Sequence, residues 1–222
     1  MRDLIRSADC VLFDFDGPVC RLFAGHPAPL IAQNLRALIR EHGGRDDLAL
    51  RVARIDDPLV VLRAAEPHGT LGAALERALT EEEVRAAKSA EPTPHADRLA
   101  RSLVSSGRRV AVTTNNAAPA VERYLSGHGL LPLFAGHIHG RLGDVDLLKP
   151  HPDCLLRALA STDTPPDRAL MIGDTVHDLR AAEAAGVGFV GFSPRADRRA
   201  ELRAAGPVDA VGDLRDVISA LS

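Results

Sequence analysis

Four short apolar runs constrain this chain more than any other feature: Cys10–Phe15, Arg109–Thr113, Ala169–Ile172 and Val187–Phe192. They are rich in Val, Ile and Phe, bounded by Gly or Asp, and of strand rather than helix length. Continuous apolar runs of this kind suit strands covered on both faces, as in a parallel sheet. Helical patterns separate them. Asp97–Ser106 carries Leu99, Leu103 and Val104 at helical spacing, and Ala118–Leu125, Pro152–Ala160 and Asp178–Ala185 read the same way, the last stopped by Gly186. Strands alternating with helices predict an α/β fold built on a doubly wound parallel sheet.

One segment breaks the alternation. From Pro27 to Ala90 no strand pattern occurs, and the helical stretches there are Leu30–His42, Asp47–Ala65, Leu71–Leu79 and Glu81–Ser89. Thr80 with Glu83 has the spacing of a capping box for the last stretch. Pro92-Thr93-Pro94 then makes a rigid entry back towards the sheet. An all-helical insertion directly after the first strand predicts a cap over that strand's carboxyl end. The expected division is an α/β core from residues 1–20 and 92–222, with a helical cap at 21–91.

Bulk properties narrow the function classes. The chain has 222 residues, 45% hydrophobic and 26% charged, an ordinary globular balance with ample length for a core. Its formal net charge is −3 with both signs interspersed, and aromatics make up 3%, so neither a basic face nor stacking platforms point to nucleic acid. Cys10, Cys20 and Cys154 are an odd number without a CxxC pair, which argues against disulfides and a zinc site and for a cytoplasmic location. The charged first residues do not resemble a signal peptide, and no run reaches the roughly 18 apolar residues of a membrane span.

The chemistry is concentrated where the strands end. Val11-Leu12-Phe13-Asp14-Phe15-Asp16-Gly17 closes an apolar strand with two carboxylates, at the end of a sheet that binds ligands. Alternation puts Asp14 and Asp16 on one side, and burying both together demands a cation or a proton. Met171-Ile172-Gly173-Asp174 is a second strand running into an acid, and Asp178 follows one helical turn later. Oxygen donors converging from two strands suit a hard cation, with Mg²⁺ favoured over zinc because sulfur and clustered imidazoles are missing. Asp174 also has the position of an N-cap for the next helix. Thr113-Thr114-Asn115-Asn116 follows another strand and would offer a hydroxyl and N–H groups at a helix start, an anion cradle. Lys149, held in Leu147-Leu148-Lys149-Pro150-His151-Pro152, supplies a point charge for a phosphoryl group.

In that order, Asp14-x-Asp16-Gly17, Thr114-Asn115, Lys149-Pro150 and Gly173-Asp174-x-x-x-Asp178 resemble the four motifs of the haloacid dehalogenase superfamily of phosphohydrolases. The resemblance covers residues 10 to about 192, and the insertion is similar to the helical cap of phosphoglycolate phosphatase-like and β-phosphoglucomutase-like members. It implies that Asp14 attacks phosphorus and that Asp16 protonates the leaving alcohol and then activates water. It implies Mg²⁺ bound by the Asp14 carboxylate, the Asp16 carbonyl and Asp174, with Asp178 either a ligand through water or the partner that orients Lys149. Gly17, Thr114, Asn115 and Lys149 would contact the substrate phosphate. Gly17-Pro18 departs from the family's usual Gly-Thr and removes one backbone N–H.

The resulting expectation is a Mg²⁺-dependent phosphatase acting on a small phosphorylated metabolite. Alternatives are a phosphosugar mutase on the same fold, a dehalogenase, which Asp16 argues against, and a non-catalytic binding member. Arg21, His26, Arg54 and Arg63 are candidate specificity contacts. His137-x-His139 lacks a third zinc ligand, and Arg195–Arg203 reads as a solvated helix face. Gly186-Val187-Gly188-Phe189-Val190-Gly191 matches a dinucleotide fingerprint in letters but follows a helix instead of preceding one. Asp14-x-Asp16-Gly17 lacks the closing Glu of a calcium loop.

Overall fold

A computed structural model describes residues 1–42, 46–65 and 69–221. Its strands are β1 (Cys10–Phe13), β2 (Cys20–Arg21), β3 (Glu91–Pro92), β4 (Arg109–Ala117), β5 (Ile138–Arg141), β6 (Ala169–Gly173), β7 (Gly188–Phe192) and β8 (Asp209–Val211). The helices are α1 (Arg2–Ser7), α2 (Ala28–Glu41), α3 (Asp46–Val52), α4 (Pro58–Ala65), α5 (Thr70–Ala86), α6 (Ala96–Ser105), α7 (Ala118–Gly127), α8 (Asp153–Ser161), α9 (Val176–Ala185), α10 (Ala196–Ala205) and α11 (Leu214–Leu221). None of the described helices is long and apolar enough to cross a membrane.

Among the described residues the main sheet has six parallel strands in the order β5-β4-β1-β6-β7-β8. After β1 the chain builds outward through β4 and β5, then returns to the other side of β1 for β6. The order therefore reverses at β1, which places a crevice at the carboxyl ends of β1, β4 and β6. Alternation along β1 explains its wholly apolar sequence. Val11 and Phe13 pack with Leu99, Leu103 and Val121 on one face, whereas Cys10 and Leu12 pack with Leu155, Leu159 and Leu179 on the other.

The helical insertion has its own core. Ile31, Leu35 and Ile39 repeat every four residues along α2 and meet Leu48, Val61, Leu75 and Leu79. Val145 and Leu148, just before Lys149, join the same cluster, so the insertion packs directly on the loop that carries the lysine.

Several boundaries differ from the sequence reading. Asp47–Ala65 is two helices, α3 and α4, broken at residues 53–57 before Pro58. Leu71–Leu79 and the first residues of Glu81–Ser89 are one helix, α5, so Thr80 lies in mid-helix, where its hydroxyl donates to Glu76 (3.4 Å), and Glu83 starts no helix there. The two-residue pairing of β2 with β3, at the two ends of the insertion, has no period long enough to read. The strand expected at Arg109–Thr113 continues through Thr114, Asn115 and Asn116, and helix α7 starts only at Ala118. Thr114 and Asn115 are thus at a strand end and not at a helix start. β1 in turn ends at Phe13, before Asp14.

Candidate active site

Parallel pairing sets the frame. The Asp14 N–H donates to the Ile172 carbonyl (2.9 Å), which ties the end of β1 to the end of β6 and brings Asp14 beside Asp174 and Asp178. Carboxylate oxygens of these three residues lie within 4.8 Å of one another. Lys149 stands between them. Its ammonium, 3% exposed, donates to Asp14 Oδ1 (2.7 Å), Asp178 Oδ1 (2.5 Å) and the Thr113 carbonyl (3.0 Å). Such a buried cation is tolerable because all three donors are used and two partners are anionic.

The capping role expected of Asp174 falls to its neighbour. Thr175 is the N-cap of α9: its hydroxyl accepts from Asp178 N, and Asp178 Oδ2 accepts from Thr175 N (3.0 Å) and Oγ1 (2.7 Å). Both oxygens of Asp178 are therefore partnered, whereas Asp174 Oδ1 is buried without a partner. Gly17, at φ +134°, lies against that carboxylate, and a Cβ there would sit 2.6 Å from Asp174 Cγ.

Asp16 is held from the other side, where its Oδ1 accepts the Leu22 N–H (2.8 Å). The loop between them closes by Gly17 N donating to the Cys20 carbonyl (2.7 Å), with Pro18, which has no N–H, inside it. Asn115 fixes Lys149 from behind: its Oδ1 accepts Lys149 N (2.8 Å) and its Nδ2 donates to the Lys149 carbonyl (3.4 Å). Thr114 is buried with its hydroxyl donating to Asn116 Oδ1 (3.0 Å).

Charge crowding shows in the acidities. Burial raises Asp174 to about 9, reinforced by the charges of Asp14, Asp178 and Asp16. Burial raises Asp14 to about 7 although Lys149 pulls the other way, and raises Asp16 to about 6. Burial disfavours the Lys149 ammonium, but Asp14 and Asp178 outweigh it and hold the proton more firmly than usual.

Asp14, Asp16, Thr114, Asn115, Lys149, Asp174 and Asp178 all line one cavity of about 590 Å³ beneath the helical insertion. Phe23, Pro29, Pro58, Leu59 and Leu79 form its apolar wall, and Asp56, Asp57, Glu83 and His177 are among its polar lining. None of the candidate specificity contacts is among those residues, although Arg21 lines an adjoining cavity with Asp16, Gly17 and Asp174. Arg21 pairs with Glu91 (2.7 Å), His26 with Glu82 (2.6 Å), and Arg63 donates to the Lys149 carbonyl (3.1 Å); Arg54 is exposed elsewhere. His137 and His139 share Ser161 Oγ and stand apart from the acidic cluster.

Sequence reasoning missed a further pair. Glu83, on α5, accepts from Asn116 Nδ2 (3.0 Å) and Ala117 N (2.8 Å), and from both Nη atoms of buried Arg141 (3.2 Å each). Arg141 also donates to the Asn115 carbonyl (2.8 Å) and to Glu76 (2.8 Å). This network joins the insertion to the loop that holds Lys149. Its only sequence trace is one acid in a charged helix and one arginine ending a short strand.

Comparison with known proteins agrees with this arrangement. A family model described as haloacid dehalogenase-like hydrolase matches residues 8–186. Pyrophosphatase PpaX of Bacillus cereus (strain G9842) is 34% identical over 122 residues, 54% of this chain and 56% of that protein. Phosphoglycolate phosphatase of Nitrosococcus oceani is 33% identical over 120 residues, 54% of this chain and 52% of that protein. The chain thus spans about half the length of the curated relatives it matches. CbbY from Rhodobacter sphaeroides, solved in complex with phosphate, shares the fold with a TM-score of 0.70 over 96% of this chain and 99% of that one, at 23% identity. A HAD family hydrolase from Deinococcus radiodurans, solved with bound phosphate and sodium, has a TM-score of 0.64 over 97% and 96% at 25% identity. With β1, the helical insertion, β4, β5 and β6 all inside the matched span, the chain belongs to the haloacid dehalogenase-like hydrolase family.

Proposed function

We propose that this chain is a Mg²⁺-dependent phosphatase that hydrolyses a small-molecule phosphate monoester through an aspartyl phosphate on Asp14. The observation that carries the reading is the buried Lys149 ammonium between Asp14 and Asp178, beside an Asp174 carboxylate oxygen with no protein partner. An unpartnered carboxyl oxygen in a crowded cluster of acids fits a hard divalent cation, whose charge would hold Asp174 ionised. Asp14 and Asp174, with the Asp16 backbone carbonyl, would hold it. Asp178 acts through Lys149, because both of its oxygens already have protein donors. When bound, Mg²⁺ supplies the charge that offsets repulsion between a phosphate dianion and these acids.

The residues then divide the work. Lys149 orients Asp14 and shares the charge of the phosphoryl oxygens. An Asp14 oxygen bonds to phosphorus as the bond from phosphorus to the alcohol oxygen breaks, and that oxygen takes the proton of Asp16. Water then attacks phosphorus, yields a proton to the Asp16 carboxylate, and frees phosphate and Asp14. The rise of Asp16 to about 6 supports its alternation between acid and base near neutrality. Thr114, Asn115 and Gly17 complete the phosphate contacts. Residues 21–91 act as the cap and residues 1–20 and 92–222 as the core, the cap limiting the site to a small phosphorylated metabolite.

The test is phosphate release from a panel of monoesters, with Mg²⁺ and after chelation, beside Asp14→Asn. Release that needs Mg²⁺ and disappears in the variant supports the reading. Robust release by Asp14→Asn overturns the nucleophile, and release that survives chelation overturns the cation.

A further inference from the structure

We infer that the substrate's alcohol portion carries no negative charge of its own and lays an apolar face against the cap. The inference rests on the phosphatase reading above and concerns the part of the cavity beyond the phosphate.

Of the described residues lining that cavity, Lys149 and His177 are the basic ones. Lys149 is already committed to Asp14, Asp178 and the transferring phosphate, and His177 stands exposed beside Asp178 at the rim. Three acids line it too: Asp56, 3.6 Å from Arg36, and Asp57, both just before α4, and Glu83, which is paired with Arg141. The arginines around the cavity are committed to protein partners: Arg36 to the Ile55 carbonyl and Asp56, Arg63 to the Lys149 carbonyl, and Arg141 to Glu76 and Glu83; Arg21, Arg195 and Arg198, which line an adjoining cavity with Asp16 and Asp174, pair with Glu91, Asp197 and Glu201. Even the N–H groups that start α4 are taken, since Asp57 accepts from Leu59 N (2.8 Å) and Val60 N (3.3 Å). A carboxylate or second phosphate on the substrate would enter with no uncommitted cation in the cavity and meet Asp57, which has no basic partner among the described residues, beside the Arg36-paired Asp56. Like charges set opposite one another are a strong device for rejecting a ligand. The remaining wall, Phe23, Pro29, Pro58, Leu59 and Leu79, offers contact for carbon rather than for charge. The permitted leaving groups are accordingly neutral or cationic alcohols. Pyrophosphate and phosphoglycolate, the compounds in the names of the relatives, lie outside that class.

Matched pairs read the inference directly. Phosphoethanolamine and phosphoglycolate have similar size and opposite charge, and glycerol 1-phosphate and 3-phosphoglycerate differ by one carboxylate. Each is scored by its inhibition constant against p-nitrophenyl phosphate turnover with Mg²⁺, and by its own kcat/KM where phosphate is released. The expected result is that the neutral and cationic members compete about tenfold or more tightly than their anionic partners, with the gap narrowing in Asp56→Asn/Asp57→Asn. Equal or tighter competition by the anionic members overturns the substrate class and leaves the phosphatase reading standing. A gap that does not narrow in the double variant overturns the assignment to these acids. Absence of turnover of p-nitrophenyl phosphate and of all four compounds overturns the phosphatase reading itself, and the inference with it.

Discussion

Replacing Glu83 by Ala removes the acid that ties α5 to the ends of β4 and β5. Four hydrogen bonds go with it: those from Asn116 Nδ2, Ala117 N and the two Nη atoms of Arg141. Breaking a buried ion pair by removing one partner typically costs about 3–5 kcal/mol. Here the cost is smaller on the arginine side, because Arg141 keeps Glu76 and the Asn115 carbonyl. The Ala117 N–H, however, is left buried and unpaired, at about 1–3 kcal/mol. Together these suggest a loss of about 3 kcal/mol, which at a urea dependence of about 2.5 kcal/mol per M lowers the unfolding midpoint by about 1 M. Circular dichroism against urea reads this, provided independent probes give coincident transitions. Activity should fall by about tenfold as well, because Asn116 and Ala117, next to Asn115, lose their anchor on α5, and Asn115 fixes Lys149 N. Glu83→Leu/Arg141→Met should recover much of the stability and little of the activity, since it removes the stranded charge but not the slack in the loop. A midpoint shift below about 0.2 M in Glu83→Ala, with an unchanged slope, would refute the claim that this network binds cap to core.

Other outcomes follow from the same geometry. Lys149→Met leaves Asp14 and Asp178 buried without their shared cation, and kcat/KM should fall by about a thousandfold or more; a loss under tenfold in steady-state kinetics would contradict its role. Gly17→Ala sets a methyl against the Asp174 carboxylate in a backbone conformation that side chains avoid, so Mg²⁺ affinity by titration calorimetry should weaken about tenfold or more. The metal-free protein should lose stability as pH rises. Carboxyls raised when folded, Asp16 to about 6, Asp14 to about 7 and Asp174 to about 9, bind protons more tightly in the native state. Their contribution is full below the unfolded value of about 4 and is lost progressively as pH climbs through those values. Thermal unfolding in chelator should therefore show a lower midpoint at pH 8.5 than at pH 5.5, and added Mg²⁺ should narrow the difference by stabilising the ionised forms.

How far the sequence could disclose this depended on the range of each signal. The four buried strands, β1, β4, β6 and β7, and the acids after β1 and β6 were readable because apolar runs and strand-end carboxylates are local patterns. The short β2–β3 pairing and the three-residue β8 have too few residues to express a period. Thr80 and Glu83 show the opposite failure. Their spacing satisfies a local capping rule, yet the helix already runs from Thr70 and needs no start there. Glu83 was free to take its partners from β4 and from Arg141, 58 residues away, which no window along the chain reports. The same limit applies to specificity. Arg21, His26 and Arg63 carry the charge expected of substrate contacts, but each is engaged by a protein partner, whereas the acids that line the cavity, Asp56 and Asp57, sit in a short segment before α4 that no local pattern marks. Chemistry common to the fold is written at strand ends, where one residue's position is set by its own strand. Selectivity is written in which side chains remain unpaired after the cap has folded against the core, and that is a property of contacts made across the whole chain.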